Sequence, residues 1–446
     1  MATPAPKIEL RPTASLRPYP GNARRHSKRQ VQQIAKSIER FGFTNPVLIS
    51  DDGEIIAGHG RVMAARQLGL RDVPTLKLSH LSATERRAYV LADNKLALNA
   101  GWDADTLAIE LQALIDIEFD VSLTGFSLAE IDFALDQARE SSTESVDPSD
   151  VVPEPPDAPV TRSGDVWLLG RHRLLCGDAR ERDAYARLLG DERVDLVFTD
   201  PPYNVPIDGN VCGLGVVRHR EFAMASGEMS PKAFTAFLTA TLSNAASCCR
   251  DGAIAFVCMD WRHMRELLEA GAVAFDELKN LCVWNKTNGG MGTFYRSKHE
   301  LVFVYKVGTA PHTNSFGLGD TGRYRTNVWD YPGISSIGGD RDENLALHPT
   351  VKPTALVADA IRDCSRRGEI VLDAFGGSGS TLLAAEITGR CARLIECDPA
   401  YCDVVVMRWE RHTGKRATLA TTGEAFEDLV GRHDARNVTA NAEASR

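Results

Sequence analysis

Asp200-Pro201-Pro202-Tyr203 places a carboxylate and an aromatic ring directly after an apolar run, Val194 to Thr199. Two consecutive prolines fix φ and donate no backbone N–H, so the turn is stiff and its carbonyls remain acceptors. Such a constellation suits an exocyclic amine. The lone pair of an aryl amine is delocalised into its ring, and a carboxylate plus a carbonyl, here Asp200 and Pro201, accepting its two N–H bonds would localise it toward an incoming methyl group. Tyr203 would stack on the base once it has left the duplex, whose stacking hides the atom to be modified. The bland alternative is a chance proline turn after a strand.

A second stretch runs Ile370-Val-Leu-Asp-Ala-Phe-Gly-Gly-Ser-Gly-Ser-Thr381. A strand that breaks into a glycine-rich turn and opens a helix lets backbone approach a nucleotide-like ligand. The next strand ends at Glu396, an acid able to accept both ribose hydroxyls, with Asp398 as neighbour. No lysine follows the glycines, so a triphosphate is not the natural ligand of this turn.

The elements that must position these residues alternate. Apolar strand signals at Val194–Thr199, Ala253–Met259, Leu301–Lys306, Glu369–Ala374 and Arg393–Glu396 are separated by helical patterns at Pro231–Ala246, Trp261–Ala270, Thr354–Cys364 and Thr381–Thr388. That order predicts a parallel sheet with helices on both faces, an α/β fold. The region ahead of it is smaller and also mixed α/β. A helix is predicted over Ser27–Phe41, a hairpin from Pro46–Ser50 and Glu54–Ala57 about Asp52-Gly53, and a helix over Arg61–Leu68. Between them lies a stretch with five prolines and several acids, and no apolar periodicity. The predicted organisation is therefore a first domain over 1–138, an acidic Pro-rich linker over 139–160, a second domain over 161–430 and a polar, disordered tail over 431–446.

The chain has 446 residues, 43% hydrophobic and 25% charged, which is ordinary globular composition for two or three domains. No apolar run approaches the roughly 18 residues of a membrane helix, and the N-terminus has no apolar leader, so a soluble cytoplasmic protein without a membrane role is expected. All ten cysteines lie between Cys176 and Cys402 without metal-ligand spacing, and neither a metal nor a disulfide framework is predicted. A net charge of -9 means that nucleic acid must be met by local basic patches. Residues 1–29 carry seven Lys or Arg against one acid, and Arg218, Arg220, Arg323 and Arg325 form two further candidate DNA contacts. Each of these can equally be a solvated face.

Taken together, these residues resemble the β-group DNA amino-methyltransferases of the DPPY type (N6-adenine or N4-cytosine), in which the catalytic motif precedes the cofactor motif. The resemblance covers about 175–412 and includes Gly177-Asp178, His299-Glu300 and His348-Pro-Thr-Val-Lys-Pro353. It implies a Rossmann-like sheet with circularly permuted motif order that binds S-adenosylmethionine. Asp178, Asp373, Phe375, Gly377, Ser378, Gly379, Glu396 and Asp398 would form the cofactor pocket, lined also by His348, Thr350 and Lys352. Asp200 to Tyr203 would act on the flipped base. Ala374 stands where the family commonly has proline. Aspartate at the head of the tetrad is the family's usual choice for adenine N6, serine for cytosine N4. The implied reaction is site-specific methylation of adenine in double-stranded DNA, of the kind found in restriction-modification, with N4-cytosine methylation as the rival. Recognition would fall to Val307–Leu347, and the insert Asn204–Met229 could clamp DNA.

Residues Leu16 to Val90 resemble the ParB/sulfiredoxin-like fold, through Ile55-Ile-Ala-Gly-His-Gly-Arg-Val-Met-Ala-Ala65. In ParB-type proteins that turn binds the phosphates of CTP, and here Gly58 and Arg61 would make the contact, as anion binding at a helix N-terminus requires. A second family element is only partly present, with Asp93-Asn94 in place and Ala97 where an arginine is expected. The module could instead dock DNA or serve as a scaffold, and an idle methyltransferase half on a ParB-like DNA binder is a further alternative. A homodimer is left open.

Overall fold

Ser27 is extended, and its hydroxyl accepts from the N–H of Gln30 at 3.1 Å, which starts helix α1 (Lys28–Phe41) where the sequence predicts it. Gly42, at φ 80°, stops it. The computed structural model describes residues 7–117, 119–140, 148–156, 158–205, 225, 227–286, 295–316, 325–332 and 351–432. The chain divides into two compact units, Met1–Ser141 and Ser142–Arg446.

In the first unit β1 (Ile8–Pro12), β2 (Val47–Ile49), β3 (Ile55–Ala57) and β4 (Asp72–Lys77) form a sheet in the order β1-β4-β2-β3. Leu16, Val47, Ile49, Ile55, Val62 and Val73 make its core against helix α2 (His59–Gln67). Beyond it come α3 (Ala83–Asn99), opened by a reciprocal Ser82/Glu85 cap, and then α4 (Ala104–Asp116) and α5 (Leu128–Glu140). The last two pack on each other around Leu111, Val121, Ile131 and Ala134.

Among the described residues the second unit has ten strands: β5 (Val166–Leu169), β6 (His172–Cys176), β7 (Val194–Thr199), β8 (Cys249–Met259), β9 (Glu277–Asn285), β10 (His299–Lys306), β11 (Val328–Asp330), β12 (Ile370–Asp373), β13 (Cys391–Glu396) and β14 (Thr418–Leu419). Their order is β11-β9-β10-β8-β7-β12-β13-β6-β5-β14. The predicted parallel sheet is found at the centre, β8-β7-β12-β13-β6, where helices supply the crossovers, and the edge strand β11 is parallel to β9. β10, β9, β5 and β14 run antiparallel to their inner neighbours, and of these pairs β5–β6 is a tight hairpin.

Along β8, Ile254, Phe256 and Cys258 face one side and Ala255, Val257 and Met259 the other, as the two-residue period requires. One side is covered by α6 (Arg182–Leu189), α7 (Pro231–Ser247) and α8 (Met264–Ala274), with Tyr185, Phe234, Leu238 and Leu267 buried. The other carries α9 (Thr354–Cys364), α10 (Ser380–Thr388) and α11 (Pro399–Thr413), with Leu356, Ile361, Leu383, Val405 and Trp409 inside. Each such side chain contributes roughly 1.5–3 kcal/mol when fully buried. The result is a rigid sheet with the loops after β7 and β12 side by side at its carboxyl edge.

The stretch predicted as an unpacked linker over 139–160 is seated in this unit from Pro148 onward. Asp150 Oδ1 accepts from the N–H of Thr354 at 2.9 Å and so caps α9, the Ser149 carbonyl accepts from Arg408, and Val152 packs on Val351 and Val404. Composition misled here because one capping acid and one valine suffice to fasten a short segment. Among the described residues, no helix is long and apolar enough to cross a membrane.

Candidate active site

β7 and β12 are adjacent and parallel, with Leu196 opposite Val371. Both strands therefore end at the same edge, although their loops are far apart in the chain. Thr199, fully buried, donates through Oγ1 to Asp373 Oδ1 at 2.9 Å and accepts from the Ala374 N–H at 3.3 Å. Asp373 also takes the N–H of Phe375 at 3.0 Å and the hydroxyl of Thr381 at 2.6 Å. Burial raises its carboxyl to about 7 despite these donors.

The glycine-rich turn folds around this acid. Gly379 stands at the N-cap of α10 with φ 89°, and a Cβ there would lie 3.0 Å from Val405, so both backbone and space demand glycine. Glu396, at the end of β13, accepts from the N–H of Gly377 at 2.7 Å and of Asp398 at 2.8 Å. Burial raises this carboxyl above its ordinary value, partly countered by those N–H groups. Phe375 lies against Phe237, with centroids 5.9 Å apart. Ser378 is turned inward, where its hydroxyl and carbonyl accept from Arg408 at 3.0 and 2.6 Å. Asp178 is paired with Arg180 at 2.6 Å. Of the predicted cofactor residues, Asp373, Phe375, Gly377, Gly379, Glu396 and Asp398 thus share one turn and its neighbouring strand end.

The tetrad sits beside it. Tyr203 donates its hydroxyl to Asp200 Oδ1 at 2.6 Å, and Asp200 Oδ2 pairs with Lys352 Nζ. The same ammonium donates to Tyr203 Oη at 3.1 Å and lies 3.0 Å from Glu300 Oε2. Glu300, near the start of β10, is paired on its other oxygen with Lys286. The β9–β10 pairing sets Glu300 opposite Trp284, and Lys286 follows two residues later. Lys286 Nζ lies 4.5 Å and Lys352 Nζ 5.8 Å from the Trp284 ring centre. Burial alone would protonate Asp200, against the pull of Lys352, and the net direction is upward. Burial would also raise Glu300, but Lys352 and Lys286 together hold it well below the usual carboxylate range. Lys352 would lose its proton through burial, yet the two carboxylates keep it charged.

Lys352, predicted to line the cofactor pocket, is therefore seated on the tetrad. Its motif position gave no hint of a partner 152 residues away. Glu300 was recognised only as part of a motif, and Lys286 and Trp284 were not singled out. A polar pair at facing hairpin ends is the signal that could have found them.

Arg325 requires a correction. Its guanidinium donates to Asp363 at 2.9 Å, Tyr331 at 3.1 Å and Asp359 at 3.3 Å, and lies 5.2 Å from the Trp329 ring centre. It fastens the β11 segment to α9 instead of reaching for a phosphate. Arg218, Arg220, Arg323, His348 and Thr350 lie outside the described residues. In the first unit Gly58 adopts φ 100° ahead of α2, as the motif implies. Arg61, however, gives Nη1 to the carbonyls of Asn45 at 2.7 Å and Pro46 at 3.0 Å, bracing the entry to β2.

Known families and proteins match parts of the chain. The DNA methylase family of the N6/N4 type matches residues 194–407, the ParB N-terminal domain residues 6–95, and the ParB-methyltransferase HTH domain residues 105–163. The last takes in α4 and α5. The ParB-like nuclease domain-containing protein YnaK of Escherichia coli (strain K12) is 54% identical over 81 residues, 18% of this chain and 93% of that one. The type II methyltransferase M.ScaI of Streptomyces caespitosus is 36% identical over 89 residues, 20% of this chain and 29% of its own. Among solved structures, the PvuII DNA methyltransferase (cytosine-N4-specific) aligns with a TM-score of 0.41 and 16% identity, covering 58% of this chain and 90% of that one. The chain carries a DNA methylase domain of the N6/N4 type, matched over residues 194–407, behind a ParB-like domain.

Proposed function

We propose that this chain transfers a methyl group from S-adenosylmethionine to the exocyclic N6 amine of adenine in double-stranded DNA. The observation that carries the reading is the Thr199–Asp373 bond, which locks the tetrad and the glycine-rich turn to neighbouring strand ends. The turn suits the cofactor: glycines that bring backbone to the N-terminus of α10, an acid at the strand end for ribose hydroxyls, and no lysine for a triphosphate. When bound, S-adenosylmethionine supplies an electrophilic methyl on a sulfonium. Asp373 and Glu396 shape its pocket, Phe375 lines it, and the Asp200 carboxylate with the Pro201 carbonyl accepts the N–H bonds of the amine. Tyr203 braces Asp200 through its hydroxyl and offers its ring to the extruded base.

Aspartate at position 200 supports adenine over cytosine through the family resemblance. The ParB-like unit, with α4 and α5, serves as the DNA-docking module. A CTP site at Gly58 and Arg61 rests on the helix N-terminus alone, because Arg61 is engaged with its own backbone.

Purified protein incubated with labelled S-adenosylmethionine and duplex DNA of mixed sequence, followed by nucleoside chromatography, tests the assignment. N6-methyldeoxyadenosine that disappears in Asp200→Ala is expected. N4-methyldeoxycytidine would move the target to cytosine, and DNA binding without incorporation would leave only the docking function.

A further inference from the structure

The charges at the tetrad alternate along one chain of contacts: Lys286, Glu300, Lys352, Asp200. They come from four segments, the end of β9, the start of β10, the residues before α9 and the loop after β7. Lys352 donates to Asp200 Oδ2 and Tyr203 Oη, and its ammonium is ion-paired with Glu300 Oε2 at 3.0 Å. It is nearly enclosed, its side chain 5% exposed. Burying a cation in this way is costly unless its partners are in place.

We propose that Lys352 is a positioning residue that keeps the Asp200 carboxylate charged and turned toward the target amine, and that Glu300 competes for it under the control of Lys286. This rests on the methyl-transfer reading above. An aspartate that has lost its charge can still hydrogen-bond, but one oxygen then carries a proton and no longer accepts an amine N–H. Glu300 draws the same ammonium away. Lys286 neutralises Glu300 and so returns Lys352 to Asp200. The other groups facing Asp200 are Tyr203 on its own loop, Cys258 of β8 and Asp373 of β12, all without positive charge.

Opposite signs make the proposal testable. In the full-length protein, removing the cation (Lys352→Met) leaves Asp200 buried without a counter-ion, and removing the competing anion (Glu300→Gln) leaves Lys352 to Asp200. Methyl incorporation into duplex DNA is measured against pH for wild type, Lys352→Met, Lys352→Arg and Glu300→Gln. The acidic limb of kcat is expected to move up by about one pH unit or more in Lys352→Met, with activity near pH 6 falling roughly tenfold further than near pH 9. Lys352→Arg should keep the wild-type limb, and Glu300→Gln should move it down. The same titration is followed without turnover by carboxyl-¹³C-aspartate NMR, the Asp200 signal being assigned by its loss in Asp200→Asn. A uniform loss in Lys352→Met at every pH, or an upward shift in Glu300→Gln, overturns the proposal. A wild type that methylates no base overturns the methyl-transfer reading, and the carboxyl titration, read in whichever variants fold, still decides whether Lys352 governs Asp200.

Discussion

Thr199 and Asp373 end two neighbouring parallel strands, and a 2.9 Å hydrogen bond between their side chains joins the start of the tetrad loop to the start of the glycine-rich turn. Thr199 Oγ1 also accepts the first N–H of that turn, from Ala374, at 3.3 Å. One hydroxyl therefore sets the spacing of the two loops on which the proposed methyl transfer rests.

Thr199→Val keeps the shape and removes the hydroxyl. A buried Asp373 oxygen loses a donor and the Ala374 N–H its acceptor, at a cost of about 1–3 kcal/mol. A lower melting temperature and weaker S-adenosylmethionine binding by calorimetry are expected. Unchanged affinity would show that the bond does not set the turn.

Asp373 also predicts a pH dependence. Its carboxyl rises from the ordinary 3.8 to about 7 on folding, through burial, so the folded state holds the proton more tightly than the unfolded. The stability this supplies is complete below the unfolded value and is lost as pH rises toward about 7, at roughly 1.4 kcal/mol per pH unit. Asp373→Asn cannot ionise. Its melting temperature relative to wild type should rise between about pH 4 and pH 7 and level off above, and a difference that ignores pH in this window would refute the assignment.

Gly379→Ala places a methyl against Val405 at a left-handed backbone position. Strain of about 1–2 kcal/mol plus the contact should distort the turn. We expect a marked rise in KM for S-adenosylmethionine with DNA affinity in a mobility-shift assay retained, and an unaltered KM would count against the glycine-rich turn as the proposed cofactor site.

Arg325→Ala removes one partner of a largely buried network with Asp359 and Asp363. Destabilisation of about 3–5 kcal/mol is expected in thermal unfolding. DNA affinity per folded molecule should stay the same. A loss of affinity without a loss of stability would restore the DNA-contact role.

The sequence disclosed the motif loops because local chemistry marks them: Pro201-Pro202 after an apolar run, and glycines before a helix. Strands β7, β10, β12 and β13 were legible for the same reason, being apolar on both faces. β9 was not, since Glu277 to Asn280 are exposed and only Cys282 and Trp284 of the strand are buried. The Lys352 pairings were invisible, because contacts between a pre-helical loop, a hairpin end and a strand end depend on strand order, which no local pattern encodes. Arg325 misled in the opposite sense, since a basic, aromatic-rich run reads alike whether it faces phosphates or the acids of a neighbouring helix.

Pro148–Asp150 lies upstream of residue 194, where the methylase match begins, yet it supplies the cap of α9 and the acceptor for Arg408, which in turn grips Ser378. A fragment trimmed to the matched boundaries would retain both signature loops and forfeit the peg on which one of them hangs. The HTH match, 105–163, runs through the same residues. A substitution there would therefore be felt at the glycine-rich turn even when it was chosen to alter the HTH region.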